Sequence, residues 1–125
     1  MCYIGDRPYR APELHLGSQV YTESVDIWAL GCLMVEMTTG KQLFKGSGGI
    51  DCLLNIGRFF GTKEMKKISG DTDTIQLMPN IQGKGLEGVL TSQKADLVNL
   101  LIRMLRVDPS LRLKSIDILA HEYFD

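Results

Sequence analysis

Between Thr22 and Gly40 apolar side chains crowd the chain so densely that no polar stripe remains. Val25, Ile27, Trp28, Leu30, Leu33, Met34, Val35 and Met37 cover every face of a cylinder with about 3.6 residues per turn. The pattern predicts a helix of about five turns that is buried all round. Thr22 or Ser24 can cap its start, and Gly40 suits the left-handed turn that closes it. The residues after Gly40, some of which read as loop, are few to wrap such a helix on every side.

Beyond a turn marked by Gly46, Gly48 and Gly49, the segment Ile50 to Phe60 places Leu53, Leu54, Ile56, Phe59 and Phe60 at helical spacing, which predicts a second, amphipathic helix. From Gly61 to Thr91 the rhythm fails, interrupted by Gly70, Pro79, Gly83, Gly85 and Gly88, and a long irregular connection with one short helix is expected. Periodicity returns from Ser92: Leu97, Val98, Leu101, Ile102, Met104 and Leu105 form one apolar face until Pro109 forbids continuation. A last helix, capped by Ser115, sets Ile116, Leu119, Ala120, Tyr123 and Phe124 in a single stripe expected to dock on the body. With no internal repeat, the organisation is one mostly helical unit over residues 1–125.

Composition narrows what such a unit does. Fourteen basic against fifteen acidic side chains give a net charge of −1, with no basic block of the kind a nucleic-acid surface uses, so no nucleic-acid partner is expected. Cys2, Cys32 and Cys52 form no CxxC pair and read as small packing residues in a reducing compartment. The longest apolar run, Ile27 to Val35, is far below the roughly 20 residues of a membrane span, and no membrane contact is expected. His15 and His121 have no partner at metal spacing and receive no role. Lys63, Lys66 and Lys67 form a mild cluster that reads more simply as a solvated helix face than as a docking site.

Three short elements carry more information. Ala11-Pro12-Glu13 matches the element that closes the activation segment of protein kinases. Asp26-Ile27-Trp28-Ala29-Leu30-Gly31 resembles the Asp-x-Trp-x-x-Gly opening of the central helix in the large lobe of that family. Asp108-Pro109-Ser110-Leu111-Arg112 is similar to the Asp-Pro-x-x-Arg before its final helix. Arg7-x-Tyr9-Arg10 narrows the resemblance to the CMGC group of Ser/Thr kinases, which holds the cyclin-dependent, MAP, glycogen-synthase and CDK-like kinases. The resemblance covers nearly the whole chain. It implies a mainly α fold, the C-terminal helical subdomain of the kinase fold and only part of that domain, running from the end of the activation segment to the last helix.

The roles implied by the resemblance are mostly structural. Glu13 and Arg112 would form a buried ion pair tying the activation-segment end to the last helices. Asp26 would accept backbone N–H bonds from the catalytic loop, and Trp28 would pack under the Ala-Pro-Glu turn with its indole N–H seeking an acceptor. Arg10 would favour proline directly after the phosphorylated Ser or Thr, and a phosphorylated Tyr3 would pair with Arg7 and Arg10. Asp6 stands where Ser or Thr is usual in the family. A carboxylate there would repel the catalytic Asp and weaken it as a base. Pro8 stands where Trp or Tyr is usual. No Gly-rich loop, His-Arg-Asp or Asp-Phe-Gly occurs in the chain, so ATP and Mg2+ are expected in the intact kinase and not on these residues. The reading is a fragment of a proline-directed Ser/Thr kinase, inactive by itself and intracellular, cytoplasmic or nuclear, with protein substrates or scaffolding proteins as partners. Its alternative is a non-catalytic, kinase-derived scaffold or pseudokinase that binds protein partners through the helix at Ile50 to Phe60 and the insert after it.

Overall fold

The computed structural model describes residues 7–17, 22–46, 48–68 and 78–125, and of Arg7 only the backbone. Tyr3, Asp6 and Cys2 lie outside the described residues. Every regular element among the described residues is helical: α1 (Pro12–His15), α2 (Ser24–Thr39), α3 (Gly49–Phe60), α4 (Thr62–Met65), α5 (Ala95–Met104) and α6 (Ser115–Leu119). Short 3-10 turns stand at Arg7–Tyr9, Pro109–Leu111 and Glu122–Phe124.

The helix α2 is the axis of the molecule. Thr22 Oγ1 accepts the Ser24 N–H at its start, and at its end Gly40 takes φ 77° and donates its N–H to the Glu36 carbonyl. Along one flank Val25, Trp28, Cys32 and Val35 enter the core. There the Trp28 ring stacks on Phe44 at 5.4 Å between centroids and meets the edge of Phe60 at 5.8 Å. On another flank Ile27 packs with Leu100 and Met104 of α5 and with Leu113 and Ile118. Gly31 makes this approach possible, because a Cβ there would lie 2.9 Å from the Leu105 side chain.

Burial all round is not what α2 shows. Leu30 and Leu33 are 42% and 43% exposed and Met37 is 78% exposed. The described elements that pack on α2, among them α5, Phe60 of α3 and the turns at Arg7–Tyr9 and Pro109–Leu111, leave that side of the cylinder uncovered.

The second helix, α3, buries Cys52, Leu53 and Ile56 and packs against α1. The interrupted stretch after it holds the short helix α4 and an irregular return over residues 78–94. That return is fixed by close backbone contact. A Cβ on Gly83 would lie 2.5 Å from the Gly61 nitrogen and from the Phe60 carbonyl carbon, so only glycine fits.

Two helix boundaries and one helix face differ from the pattern. The helix α5 begins at Ala95 and ends at Met104, short of Pro109, because Leu105 leaves helical geometry at ψ 65°. Beyond that end the carbonyls of Arg106 and Val107 accept N–H bonds from Arg112. Ser115 does not cap α6; Lys114 occupies the cap position and no side chain bonds there. The stripe expected to dock instead faces solvent, with Ile116 72%, Leu119 78% and Phe124 54% exposed. After one turn the segment tightens into the Glu122–Phe124 turn, which shifts its phase, and Ile118 and His121 are the residues turned inward.

Candidate functional site

The site is built around one guanidinium. The turn at Pro109–Leu111 is set by Asp108, whose Oδ1 accepts the Ser110 N–H at 2.9 Å and the Ser110 hydroxyl at 2.7 Å. These bonds from Ser110 hold the Asp108 carboxyl below its usual range. Past the turn, the extended backbone of Arg112 carries its side chain into the core, where it is 0% exposed.

Its partner is placed by α1. Ala11 is extended, with ψ 151°, and Pro12 occupies the first helical position, where a missing N–H costs nothing. Glu13 follows, buried, with its carboxylate turned inward. Arg112 Nη1 donates to Glu13 Oε2 and Nη2 donates to Oε1, each at 2.7 Å across 99 positions of sequence. The remaining donors go to backbone oxygens: Nε to Arg106 at 2.7 Å, Nη1 to Ser24 at 3.1 Å and Nη2 to Val107 at 3.2 Å. All the N–H groups that a guanidinium carries thus have acceptors. The Trp28 ring centroid lies 5.0 Å from the Arg112 Cζ. Both Glu13 oxygens are occupied by the fork, so this carboxylate is suited to holding a shape and not to moving a proton.

Trp28 is fully buried and makes aromatic and cationic contacts, but its indole N–H has no acceptor among the described residues, contrary to the sequence expectation. The ring is held by stacking on Phe44 and by Arg112 instead. Asp26 stands exposed in the first turn of α2. Arg10, beside Ala11, is buried at 8% exposure.

A second anchor was not legible in the sequence. The Tyr9 hydroxyl donates to Glu36 Oε1 at 2.5 Å and accepts from Gln42 Nε2 at 3.4 Å. Because Glu36 accepts from the neutral phenol, Tyr9 titrates above its ordinary value. The bond joins the turn at Arg7–Tyr9 to the last turns of α2, so Glu13 and Tyr9 bracket Arg10 and Ala11 with one fixed contact on each side. Nothing in the spacing of Tyr9 and Glu36, 27 positions apart, signals it.

His121 likewise has a place. Its Nδ1 accepts the Tyr123 N–H at 3.0 Å, so Nε2 carries the proton and donates to Asn99 Oδ1 at 2.8 Å. This buried imidazole fastens the end of the chain to α5. Cys32 is 1% exposed, and burial pushes its thiol far above the ordinary range, which removes it as a nucleophile. Cys52 is also buried, and neither of these two thiols is in a disulfide. Among the described residues no group of three His, Cys, Asp or Glu side chains could hold a metal ion, and no helix is long and apolar enough to cross a membrane.

Comparison with known proteins gives this geometry a context. The protein kinase domain model matches residues 1–124. Mitogen-activated protein kinase 12 of Homo sapiens is 39% identical over 128 residues, which cover 98% of this chain and 35% of that protein. Mitogen-activated protein kinase 14 of Xenopus laevis is 39% identical over 127 residues, with the same coverage of each. Glycogen synthase kinase 1 of Pyricularia oryzae is 36% identical over 125 residues, covering 98% of this chain and 32% of that protein. The chain thus spans about one third of the length of the curated relatives it matches.

Proposed function

Since this chain belongs to the protein kinase family, with relatives among the CMGC kinases, we propose that it is the C-terminal part of the large lobe of a Ser/Thr kinase. It runs from the end of the activation segment to the last helix of that lobe. Its work is to hold the substrate-facing segment in shape. The observation that carries this reading is the buried Glu13–Arg112 fork, which clamps the Ala11-Pro12 turn to the start of α2 and to the chain after α5.

We assign the roles of individual residues by the resemblance of their motifs to the family. Arg10, held between the Tyr9–Glu36 bond and the fork, is the residue that selects proline after the phosphoacceptor. Asp26, exposed at the opening of α2, is free to accept N–H bonds from a catalytic loop. Tyr3 is a phosphosite whose phosphate pairs with Arg7 and Arg10. The Mg2+-bound ATP of the reaction is assigned no residue of this chain, because the motifs that hold it in the family, the Gly-rich loop, His-Arg-Asp and Asp-Phe-Gly, do not occur in the sequence. Phosphoryl transfer rests on positioning and charge stabilisation, so the chain by itself has no transferase activity.

Two measurements test this. The purified chain incubated with labelled ATP and Ser-Pro or Thr-Pro peptides is expected to transfer no phosphate, and any transfer above a protein-free control refutes the assignment. In the kinase of which we propose it is a part, Arg10→Ala is expected to erase the preference for Ser-Pro over Ser-Ala peptides. An unchanged ratio removes proline selection from Arg10.

A further inference from the structure

Where α3 ends and α4 begins, the backbone segments that carry five exposed cations meet at one corner: Arg58, Lys63, Lys66, Lys67 and Lys84. The backbone dictates the grouping. Thr62 and Met65 are buried, and the N–H groups of Lys66 and Lys67 continue the turn to the carbonyls of Thr62 and Glu64 at 3.1 Å each, so the three lysines fall on its outward side. The returning segment is laced to the same corner. Thr62 N–H bonds the Ile81 carbonyl, Ile81 N–H bonds the Thr62 hydroxyl, and Lys84 N–H bonds the Arg58 carbonyl at 3.0 Å, which sets Lys84 beside Arg58.

Among the described residues these charges have no neutralising partner. The one acid of α4, Glu64, is engaged by Arg106 at 3.6 Å, and none of the five cations has a carboxylate within ion-pair distance among the described residues. Their partners are neutral: Lys66 Nζ donates to Asn80 Oδ1 at 2.7 Å, Arg58 Nη1 donates to Asn55 Oδ1 at 2.8 Å, and Lys84 Nζ sits 4.6 Å from the centre of the Phe59 ring. The chain as a whole has a net charge of −1, so the corner is a local excess and not a reflection of overall basicity. We propose that this corner docks an anionic peptide segment of a partner protein, rich in acidic or phosphorylated residues.

The ammonium groups are compact point charges that meet carboxylate and phosphate alike. A single strand of nucleic acid needs rings to stack on, and the rings at this corner, Phe59 and Phe60, are half-buried and occupied with Phe44 and Trp28. The inference stands on charge placement and is independent of the kinase reading.

Fluorescence anisotropy with the full 125-residue chain tests it. The probes are a labelled ten-residue Glu-rich peptide, its counterpart with phosphoserines, a Lys-rich peptide of equal length and a single-stranded DNA of matched charge. Saturable binding of one or both anionic peptides is expected, weakening with salt. The variant Lys66→Glu/Lys67→Glu is expected to weaken it about tenfold at low salt, while Lys94→Glu/Lys114→Glu, with the same change in net charge, leaves it within about twofold. Circular dichroism checks that both variants keep their helices. Comparing the two anionic peptides separates carboxylate from phosphate recognition. Equal loss in both variants, no binding of either peptide, or DNA binding as tightly as the peptides overturns the proposal.

Discussion

Arg112 is the residue on which most of the local order converges, since its side chain reaches α1, the first residue of α2 and two carbonyls after α5. Removing one member of a buried ion pair strands the other charge, which costs about 3–5 kcal/mol. Arg112→Met should therefore lower the urea midpoint strongly. The double variant Glu13→Leu/Arg112→Met, which strands no charge, should recover part of that loss. A single variant as stable as the parent chain would show that the fork contributes nothing. Glu13 and Arg112 were readable in the sequence because each sits in a short motif with a fixed partner type. The Tyr9–Glu36 bond and the His121–Asn99 joint were not, because each depends on a tertiary approach of single polar residues that no local pattern encodes.

At the scale of elements, the long helix α2 and the amphipathic α3 and α5 announced themselves because periodicity sums over several turns. The short ones did not. In α6 the rhythm of about 3.6 residues lasts only one turn before a tighter turn replaces it, so a stripe drawn from the sequence lands on solvent and Ile118 takes the buried place. The return after α4 has no helical rhythm in the sequence, and its order rests on a backbone crossing and not on any helix. There Gly83 presses against Gly61 and Phe60 with no room for a methyl group. Gly83→Ala should cost about 1–3 kcal/mol and lower the thermal midpoint, whereas Gly88→Ala, where a Cβ would meet nothing within 4 Å, should be nearly silent. Equal midpoints for the two variants would mean that this crossing is loose in solution.

For the whole molecule, the telling feature is an apolar axis with an uncovered side. Leu30, Leu33 and Met37 on α2, and Ile116 and Leu119 on α6, stand exposed in a chain that spans about one third of its relatives' length. The spacing of apolar residues puts some on every face of α2 but cannot say which of those faces the other elements reach. The isolated chain should bind a hydrophobic dye under native conditions. Leu30→Gln/Leu33→Gln/Met37→Gln should reduce that emission with the helical circular dichroism unchanged. Emission unaffected by these changes would place the dye elsewhere.

The fork also sets a clock on synthesis. Glu13 leaves the ribosome 99 residues before Arg112, and at about 5–20 residues per second this leaves the carboxylate without its counter-ion for roughly 5–20 s. Until then water must solvate it, and α1 has no anchor to the far end of the chain. A nascent polypeptide stalled just before Arg112 should therefore remain open to protease around Ala11 to Glu13, and one released after it should be protected there.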